Sequence, residues 1–126
     1  MAFGKVLIID DDPDILSYLR TLFEGWGFAV HTADNGVDGI AAARDILPAL
    51  ILLDLNMRRL TGFDTARQLR DTPKTATIPI LAVTALKKAE DRDEAHLAGC
   101  DAVISKPIDT KALYKTVTRY FGQLHA

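Results

Sequence analysis

The sequence predicts an α/β protein with a single doubly wound parallel sheet of five strands and five helices. Five short apolar runs alternate with five predicted helical segments, most of which have apolar residues at helical spacing. The run from Leu50 to Leu53 is apolar without alternation, which is typical of a strand covered on both faces. Polar residues follow several of these runs, where open α/β sheets bind their ligands.

Length and composition narrow the class of protein. A chain of 126 residues predicts one domain with its own core and no room for a separate output domain. The net charge of −2 gives no basic field for nucleic acid. No apolar stretch is long enough to cross a membrane, and the N-terminus does not resemble a signal peptide, so we expect a cytoplasmic protein. The single cysteine, Cys100, excludes an internal disulfide and indicates a packing residue.

The first strand covers residues 6–9 and runs into three consecutive acids. Pro13 favours the first position of a helix, so Asp12 is predicted to be the N-cap of the first helix. Helix capping explains Asp12 but leaves Asp10 and Asp11 without a structural role. The helix ends near Gly25, and its apolar stripe consists of Ile15, Leu16, Leu19, Leu22 and Phe23.

The second strand covers residues 28–32, and the Asn35-Gly36 pair predicts a turn before a weaker helix. Pro48 separates this helix from the third strand, which ends at Asp54. The apolar residues assigned to the helix are Val37, Ile40, Ala41 and Leu47.

A short third helix follows Gly62 and is closed by the breaker-rich segment 71–77. The fourth strand covers residues 78–83, with Pro79 near its start, where a missing N–H is tolerated, and it ends in Thr84-Ala85. The apolar positions of the third helix are Phe63, Ala66 and Leu69.

The last third of the chain repeats the alternation. Residues 87–99 are charged and weakly amphipathic and predict a fourth helix. The fifth strand covers residues 102–104 and ends in Ser105-Lys106-Pro107. A final helix starts at about Thr110, with a buried stripe of Leu113, Val117, Tyr120 and Phe121.

The predicted strand order is 2-1-3-4-5, as in flavodoxin-like sheets, with right-handed crossovers. In this order the first and third strands are neighbours at the switch point. Asp10 and Asp11 therefore lie beside Asp54, and Thr84 and Lys106 reach the same edge.

These residues predict a metal-assisted phosphoryl acceptor. Two unit charges about 4 Å apart repel by about 4 kcal/mol at an effective dielectric constant of about 20, so Asp10, Asp11 and Asp54 require positive charge nearby. Lys106 leaves −3 + 1 = −2, which one divalent cation balances, and a few oxygen ligands with room for water favour Mg²⁺. The Asp54 carboxylate then serves as a nucleophile, and Lys106 and the Thr84 hydroxyl stabilise the transferred phosphoryl group.

With these residues placed, the chain closely resembles the receiver domain of two-component response regulators. The resemblance runs from residue 5 to about residue 121 and implies one receiver domain over residues 1–126. It rests on four motifs, each at the end of a predicted strand: Asp10-Asp11, Asp54 within LDLNM, Thr84-Ala85 and Lys106-Pro107.

The resemblance implies a role for each site residue. Asp54 accepts a phosphoryl group from a phosphohistidine on a sensor histidine kinase or a histidine phosphotransfer protein, or from a small phosphodonor. Asp11 and Asp54 bind Mg²⁺ directly, Asp10 binds it through water, and the backbone carbonyl of Asn56 is a further ligand. Lys106 contacts the phosphoryl group, and its bond to proline is cis.

As a class, such a domain gains and loses its own phosphoryl group in phosphorelay signalling and is not a multi-substrate enzyme. A downstream output protein is a further implied partner. The chain is either a stand-alone receiver or a part of a longer protein.

Two positions depart from the family pattern. Arg58 stands where DLNMP has proline, so the turn gains a backbone donor and a charge. Val103 stands three residues before the lysine, where the family usually has an aromatic ring that turns inward when the threonine moves. Valine has a short, stiff side chain and cannot reproduce that rotation.

Three other functions fit the sequence less well. A flavodoxin-like cofactor binder needs N–H groups after the first strand to bind phosphate, and the acidic loop DDDPD repels an anion. A metal-dependent phosphatase commonly uses a second acid two residues after the nucleophile, and that residue is Asn56. The third alternative is a pseudo-receiver that only binds proteins, although no acceptor-site residue is missing.

Overall fold

The structure is a computed structural model that describes residues 4–85 and 89–122. It confirms five strands alternating with five helices. The elements in chain order are β1 (Lys5–Ile9), α1 (Pro13–Gly25), β2 (Ala29–Ala33), α2 (Gly36–Ile46), β3 (Leu50–Leu53), α3 (Gly62–Asp71), β4 (Ile80–Thr84), α4 (Ala89–Leu97), β5 (Ala102–Ser105) and α5 (Thr110–Phe121).

The five strands form one parallel sheet in the order β2-β1-β3-β4-β5, as predicted. Ile9, the last residue of β1, pairs with Leu53, the last residue of β3. The Asp54 N–H donates to the Ile9 carbonyl at 2.9 Å, which extends the pairing by one residue. The residues that follow these two central strands therefore begin side by side.

The core has two layers because alternate strand residues point to opposite faces of the sheet. Leu7, Ile9, Ile51 and Leu53 pack with residues of α2, α3 and α4. On the other face, the intervening residues of β1 and β3 pack with α1, α5 and edge-to-face aromatic pairs. The apolar run of β3 is thus buried on both faces, as its lack of alternation predicts.

β2 and β4 begin later than predicted because neighbouring turns take their first residues, and the other strand boundaries that differ do so by one residue. The Phe28 N–H donates to the Phe23 carbonyl at 3.0 Å, so Phe28 belongs to the turn after α1. The Ile78 N–H likewise donates to Thr75, and Pro79 has no N–H to offer. Both residues are apolar, and sequence alone does not separate an apolar turn residue from a strand residue.

Several predicted apolar positions are not buried. Val37, Ala41, Leu47 and Tyr120 are exposed, so their assignment to apolar stripes is wrong. Leu47 lies beyond the last residue of α2, where it caps the helix in the left-handed conformation. Asp12 caps α1, as predicted, by accepting from the Asp14 N–H.

The fourth predicted helix is present as α4, although it is shorter than residues 87–99. Positions 87 and 88 of that prediction lie outside the described residues. Cys100, which follows α4, is buried, and burial raises the pKa of its thiol to about 11. This agrees with a packing role, because a nucleophilic cysteine needs an accessible thiolate.

None of the helices in the two described ranges combines the length and the apolar character needed to span a membrane.

Candidate functional site

The predicted site residues meet at one edge of the sheet because four parallel strands end there. Asp10 follows β1, Asp54 follows β3, Thr84 ends β4 and Lys106 follows β5. Thr84 pairs with Ser105 in the sheet, and its carbonyl accepts from the Lys106 N–H at 2.7 Å. Residues separated by up to 96 positions in sequence thus become neighbours.

Three carboxylates form the acidic part of the site. Asp10, Asp11 and Asp54 each place an oxygen within 4.8 Å of the others. Asp10 and Asp54 are 2% and 4% exposed, whereas Asp11 is exposed. One oxygen of Asp10 also accepts from the Asp12 N–H at 2.9 Å, so the turn before α1 fixes the orientation of this carboxylate.

Lys106 supplies the positive charge of the cluster. Its Nζ donates a hydrogen bond of 3.1 Å to Asp10 Oδ2 and lies 3.7 Å from Asp54 Oδ2. The bond between Lys106 and Pro107 is cis, as the resemblance implies. Lys106 therefore lies within ion-pair distance of both buried acids.

Burial and the neighbouring charges shift the pKa of the Asp54 carboxyl. Burial raises the pKa of its carboxyl above the ordinary aspartate range, and the charges of Asp10 and Asp11 also raise it. The Asn56 N–H, which donates to Asp54 Oδ1 at 3.0 Å, and the Lys106 ammonium lower the pKa. A further positive charge at the site would favour the ionised carboxylate that a nucleophile requires.

The donor set fits Mg²⁺. The three carboxylates and Lys106 sum to −2, and the clustered atoms are oxygens, the ligands that this hard ion prefers. Each carboxylate oxygen that accepts one hydrogen bond retains a lone pair for a ligand bond. The residues that would hold the ion are therefore Asp10, Asp11 and Asp54, and the Asn56 carbonyl remains a sequence prediction.

The side chain of Asn56 has a contact that sequence reasoning missed. Its Nδ2 donates a hydrogen bond of 3.1 Å to Thr84 Oγ1, while its backbone N–H holds Asp54. Asn56 is exposed in the turn after β3, whereas Thr84 is fully buried. The sequence carries no signal for this contact, because it depends on how the turn folds over the neighbouring strand.

Gly62 shapes the turn between β3 and α3, residues 54–61, which we call the acceptor turn. Its N–H donates to the Leu55 carbonyl at 3.2 Å, and a Cβ at this position would overlap the Asp54 carbonyl oxygen and the Leu55 Cα. The absence of a side chain lets the start of α3 pack directly against the backbone after Asp54. Thr61 caps this helix through the Asp64 N–H, which fixes the helix where the turn ends.

The two departures from the family pattern have visible consequences. The Arg58 N–H donates to Asp11 Oδ2 at 3.4 Å, a contact that proline lacks the hydrogen to make. Arg58 also lines a cleft of about 320 Å³ whose other lining residues are Asp11, Asp34, Asn35, Met57 and Arg59. Val103 is partly buried and packs against the core layer of α2, α3 and α4.

Known proteins resemble this chain over most of its length. A family model described as the response regulator receiver domain matches residues 6–118. The chain is 35% identical to the protein PilH of Pseudomonas aeruginosa over 114 residues, which cover 90% of this chain and 94% of PilH. It is 32% identical over 118 residues to the polar-differentiation response regulator DivK of Brucella anthropi, covering 94% of this chain and 96% of DivK.

A solved structure shows the same fold. The chemotaxis protein CheY4 of Vibrio cholerae superposes with a TM-score of 0.89 at 29% identity, covering 94% of this chain and 99% of CheY4. The matched residues include all four strand ends that form the site. By sequence, fold and family match, this chain belongs to the response regulator receiver domains of two-component signalling.

Proposed function

We propose that this receiver accepts a phosphoryl group on Asp54 in a Mg²⁺-dependent reaction and thereby switches its protein contacts. The observation that carries the proposal is the position of the Asp54 carboxylate. It is almost fully buried, lies 3.7 Å from Lys106 Nζ, and shares an oxygen cluster with Asp10 and Asp11.

The phosphohistidine of a sensor histidine kinase or a histidine phosphotransfer protein is the proposed donor. An Asp54 oxygen attacks the phosphorus, so that an O–P bond forms while the donor's P–N bond breaks. The electron pair of the P–N bond stays on the imidazole nitrogen, which takes up a proton. The transferred group carries negative charge on its outer oxygens, which positive and hydrogen-bonding groups can stabilise.

The chain supplies two such groups. Lys106 is held by Asp10 within reach of Asp54, and the Thr84 hydroxyl is held beside the acceptor turn by Asn56. Bound Mg²⁺, with Asp10, Asp11, Asp54 and the Asn56 carbonyl as its proposed ligands, would supply the charge that offsets the carboxylates and the phosphoryl oxygens. The protein's own part is to keep the carboxylate ionised, oriented and shielded.

The same proposal covers the wider role of the chain. Residues 1–126 act as one receiver domain in the cytoplasm, gain and lose their own phosphoryl group, and pass the signal to an output protein. Two contacts support this role over that of a pseudo-receiver: Lys106 lies 3.7 Å from Asp54, and Asn56 donates a hydrogen bond to the Thr84 hydroxyl.

Intact mass spectrometry after incubation with acetyl phosphate tests the proposal. The native chain is expected to gain the mass of one phosphoryl group with Mg²⁺, to gain none in EDTA, and to gain none as Asp54→Ala. Asp45→Ala, which removes an exposed acid of α2, is the matched control and is expected to label like the native chain. Equal labelling of Asp54→Ala would place the acceptor elsewhere, and no labelling of the native chain would favour a pseudo-receiver.

A further inference from the structure

Asn56 connects the acceptor carboxylate with the hydroxyl on the neighbouring strand. Its backbone N–H donates to Asp54 Oδ1 at 3.0 Å, and its side-chain Nδ2 donates to Thr84 Oγ1 at 3.1 Å. One residue thus sets the position of two groups that meet the incoming phosphoryl group in the proposed function.

Thr84 is held by its backbone, its burial and one side-chain hydrogen bond in this structure. Its backbone is the last part of β4, where its carbonyl accepts from the Lys106 N–H at 2.7 Å. The residue is 0% exposed, and a threonine side chain has few accessible rotamers. Within residues 4–85 and 89–122, the Asn56 amide is the hydrogen-bond partner of the Thr84 hydroxyl oxygen.

A hydroxyl has one hydrogen to donate and two lone pairs to accept with. Because Asn56 Nδ2 is a donor, it occupies a lone pair of Thr84 Oγ1 and leaves the hydroxyl hydrogen available. Phosphoryl oxygens accept hydrogen bonds and do not donate them when ionised. We propose that Asn56 is a positioning residue that directs the Thr84 O–H toward a phosphoryl oxygen on Asp54. This inference rests on the proposed phosphorylation of Asp54.

Asn56 is suited to test because it is exposed. Asn56 belongs to neither layer of the hydrophobic core, so a smaller residue removes no core packing. The backbone carbonyl proposed as a Mg²⁺ ligand is kept in any variant. An effect on phosphorylation can therefore be separated from effects on folding and on metal affinity.

A double-mutant cycle measures whether Asn56 acts through Thr84. The four proteins are the native chain, Asn56→Ala, Thr84→Val and the double variant. The readouts are the rate of Asp54 phosphorylation by acetyl phosphate at saturating Mg²⁺ and the Kd of beryllofluoride, an unreactive phosphoryl analogue, followed by ¹⁹F NMR. The Kd of Mg²⁺ alone and the urea midpoint of each protein serve as controls.

We expect Asn56→Ala to slow phosphorylation and weaken beryllofluoride binding about tenfold, the effect of about one hydrogen bond to a charged group. In the Thr84→Val background, which has no hydroxyl to direct, the same change is expected to alter either readout by less than about twofold. Thr84→Ser keeps the hydroxyl and is expected to retain the dependence on Asn56. The Kd of Mg²⁺ is expected to stay within about twofold throughout.

Two results would overturn the inference while the native chain is still phosphorylated on Asp54. One is an unchanged rate in Asn56→Ala, and the other is an equal loss in the native and Thr84→Val backgrounds. If Asn56→Ala shifts the urea midpoint, Asn56→Asp repeats the cycle, because the effect of its added charge is common to both backgrounds. A native chain that is not phosphorylated contradicts the proposed function itself.

Discussion

The ammonium group of Lys106 donates a 3.1 Å hydrogen bond to Oδ2 of Asp10, a carboxylate that is only 2% exposed. The same nitrogen lies 3.7 Å from Oδ2 of Asp54. Before any phosphoryl group arrives, the lysine therefore already offsets the repulsion between two buried acids. Lys106, which we expect to contact the phosphoryl group, thus also stabilises the unphosphorylated site.

Lys106→Met is expected to destabilise the chain, because it removes the donor to a buried carboxylate and leaves three neighbouring acids. We expect a loss of about 2 kcal/mol in the free energy of unfolding at neutral pH without Mg²⁺, the cost of leaving a buried charged acceptor unpaired. Urea unfolding measures the change.

Lys115→Met, on α5 and exposed, is the matched control and should change stability by no more than about 0.5 kcal/mol. Added Mg²⁺ should recover part of the loss in Lys106→Met, because it supplies the missing charge. Equal stability of the two variants in EDTA would show that the Lys106–Asp10 bond contributes nothing to the resting fold.

The pKa of Asp54 predicts a pH dependence. Burial raises this pKa, so the folded chain holds the Asp54 proton more tightly than the unfolded chain does. The stability from this group is fully present below the ordinary aspartate pKa and is lost as pH rises through the raised value. Asp54→Asn cannot ionise, so it should be more stable than the native chain at neutral pH in EDTA, and the difference should shrink toward acid pH.

Urea midpoints over a pH series in EDTA measure this difference. Asp45→Asn, which removes an exposed acid of α2, is the control. If the native chain were the more stable protein at neutral pH, Asp54 would have a lowered pKa, and attraction to Lys106 would outweigh burial.

Much of the fold could be predicted because its signals are local. The unalternating Leu50–Leu53 run indicates burial on both faces, and Asp12 with Pro13 marks a helix start. The polar residues at four strand ends then converge through topology alone, since parallel strands deliver their carboxyl ends to one edge. The clustering of Asp10 with Asp54 required only the strand order.

Other features depend on distances that sequence does not encode. The Asn56–Thr84 bond and the Arg58–Asp11 bond arise from the path of one turn above the sheet. Tyr120 has helical spacing from its apolar neighbours, yet it lies at the border of the buried stripe and remains exposed. Periodicity identifies a helix face, but the edge of that face depends on what packs beside it.

Gly62→Ala is expected to disturb the acceptor turn. The added Cβ would overlap the backbone of Asp54 and Leu55, which cannot move aside as a flexible side chain can. We expect a loss of about 1–3 kcal/mol in stability, the usual cost of overpacking, and slower labelling by acetyl phosphate. Urea unfolding and mass spectrometry measure the two effects.

Gly25→Ala is the matched control, because a Cβ at this end of α1 meets nothing within 4 Å. It should be neutral or slightly stabilising and should label at the native rate. A Gly62→Ala variant that behaves like Gly25→Ala would show that the turn can shift without cost.

Arg70 joins elements at the edge of the sheet opposite the site. Its guanidinium group donates to the Ile78 carbonyl at 2.7 Å, the Gly99 carbonyl at 2.9 Å and Asp101 Oδ2 at 2.8 Å. The same Asp101 oxygen accepts from the Ile80 N–H at 2.8 Å. These contacts hold the starts of β4 and β5 to the end of α3.

The Arg70 contacts need a planar group with several donors, so lysine should not replace them. We expect losses of about 2–4 kcal/mol for Arg70→Ala and about 1–3 kcal/mol for Arg70→Lys, measured by urea unfolding. Arg67→Ala, which removes an exposed arginine three residues earlier on α3, should cost no more than about 1 kcal/mol. The folded Arg70 variants should still be labelled on Asp54 at the native rate, because the acceptor site lies at the other ends of the strands. A slower rate in Arg70→Lys would mean that the amino ends of β4 and β5 help to set the geometry around Thr84 and Lys106.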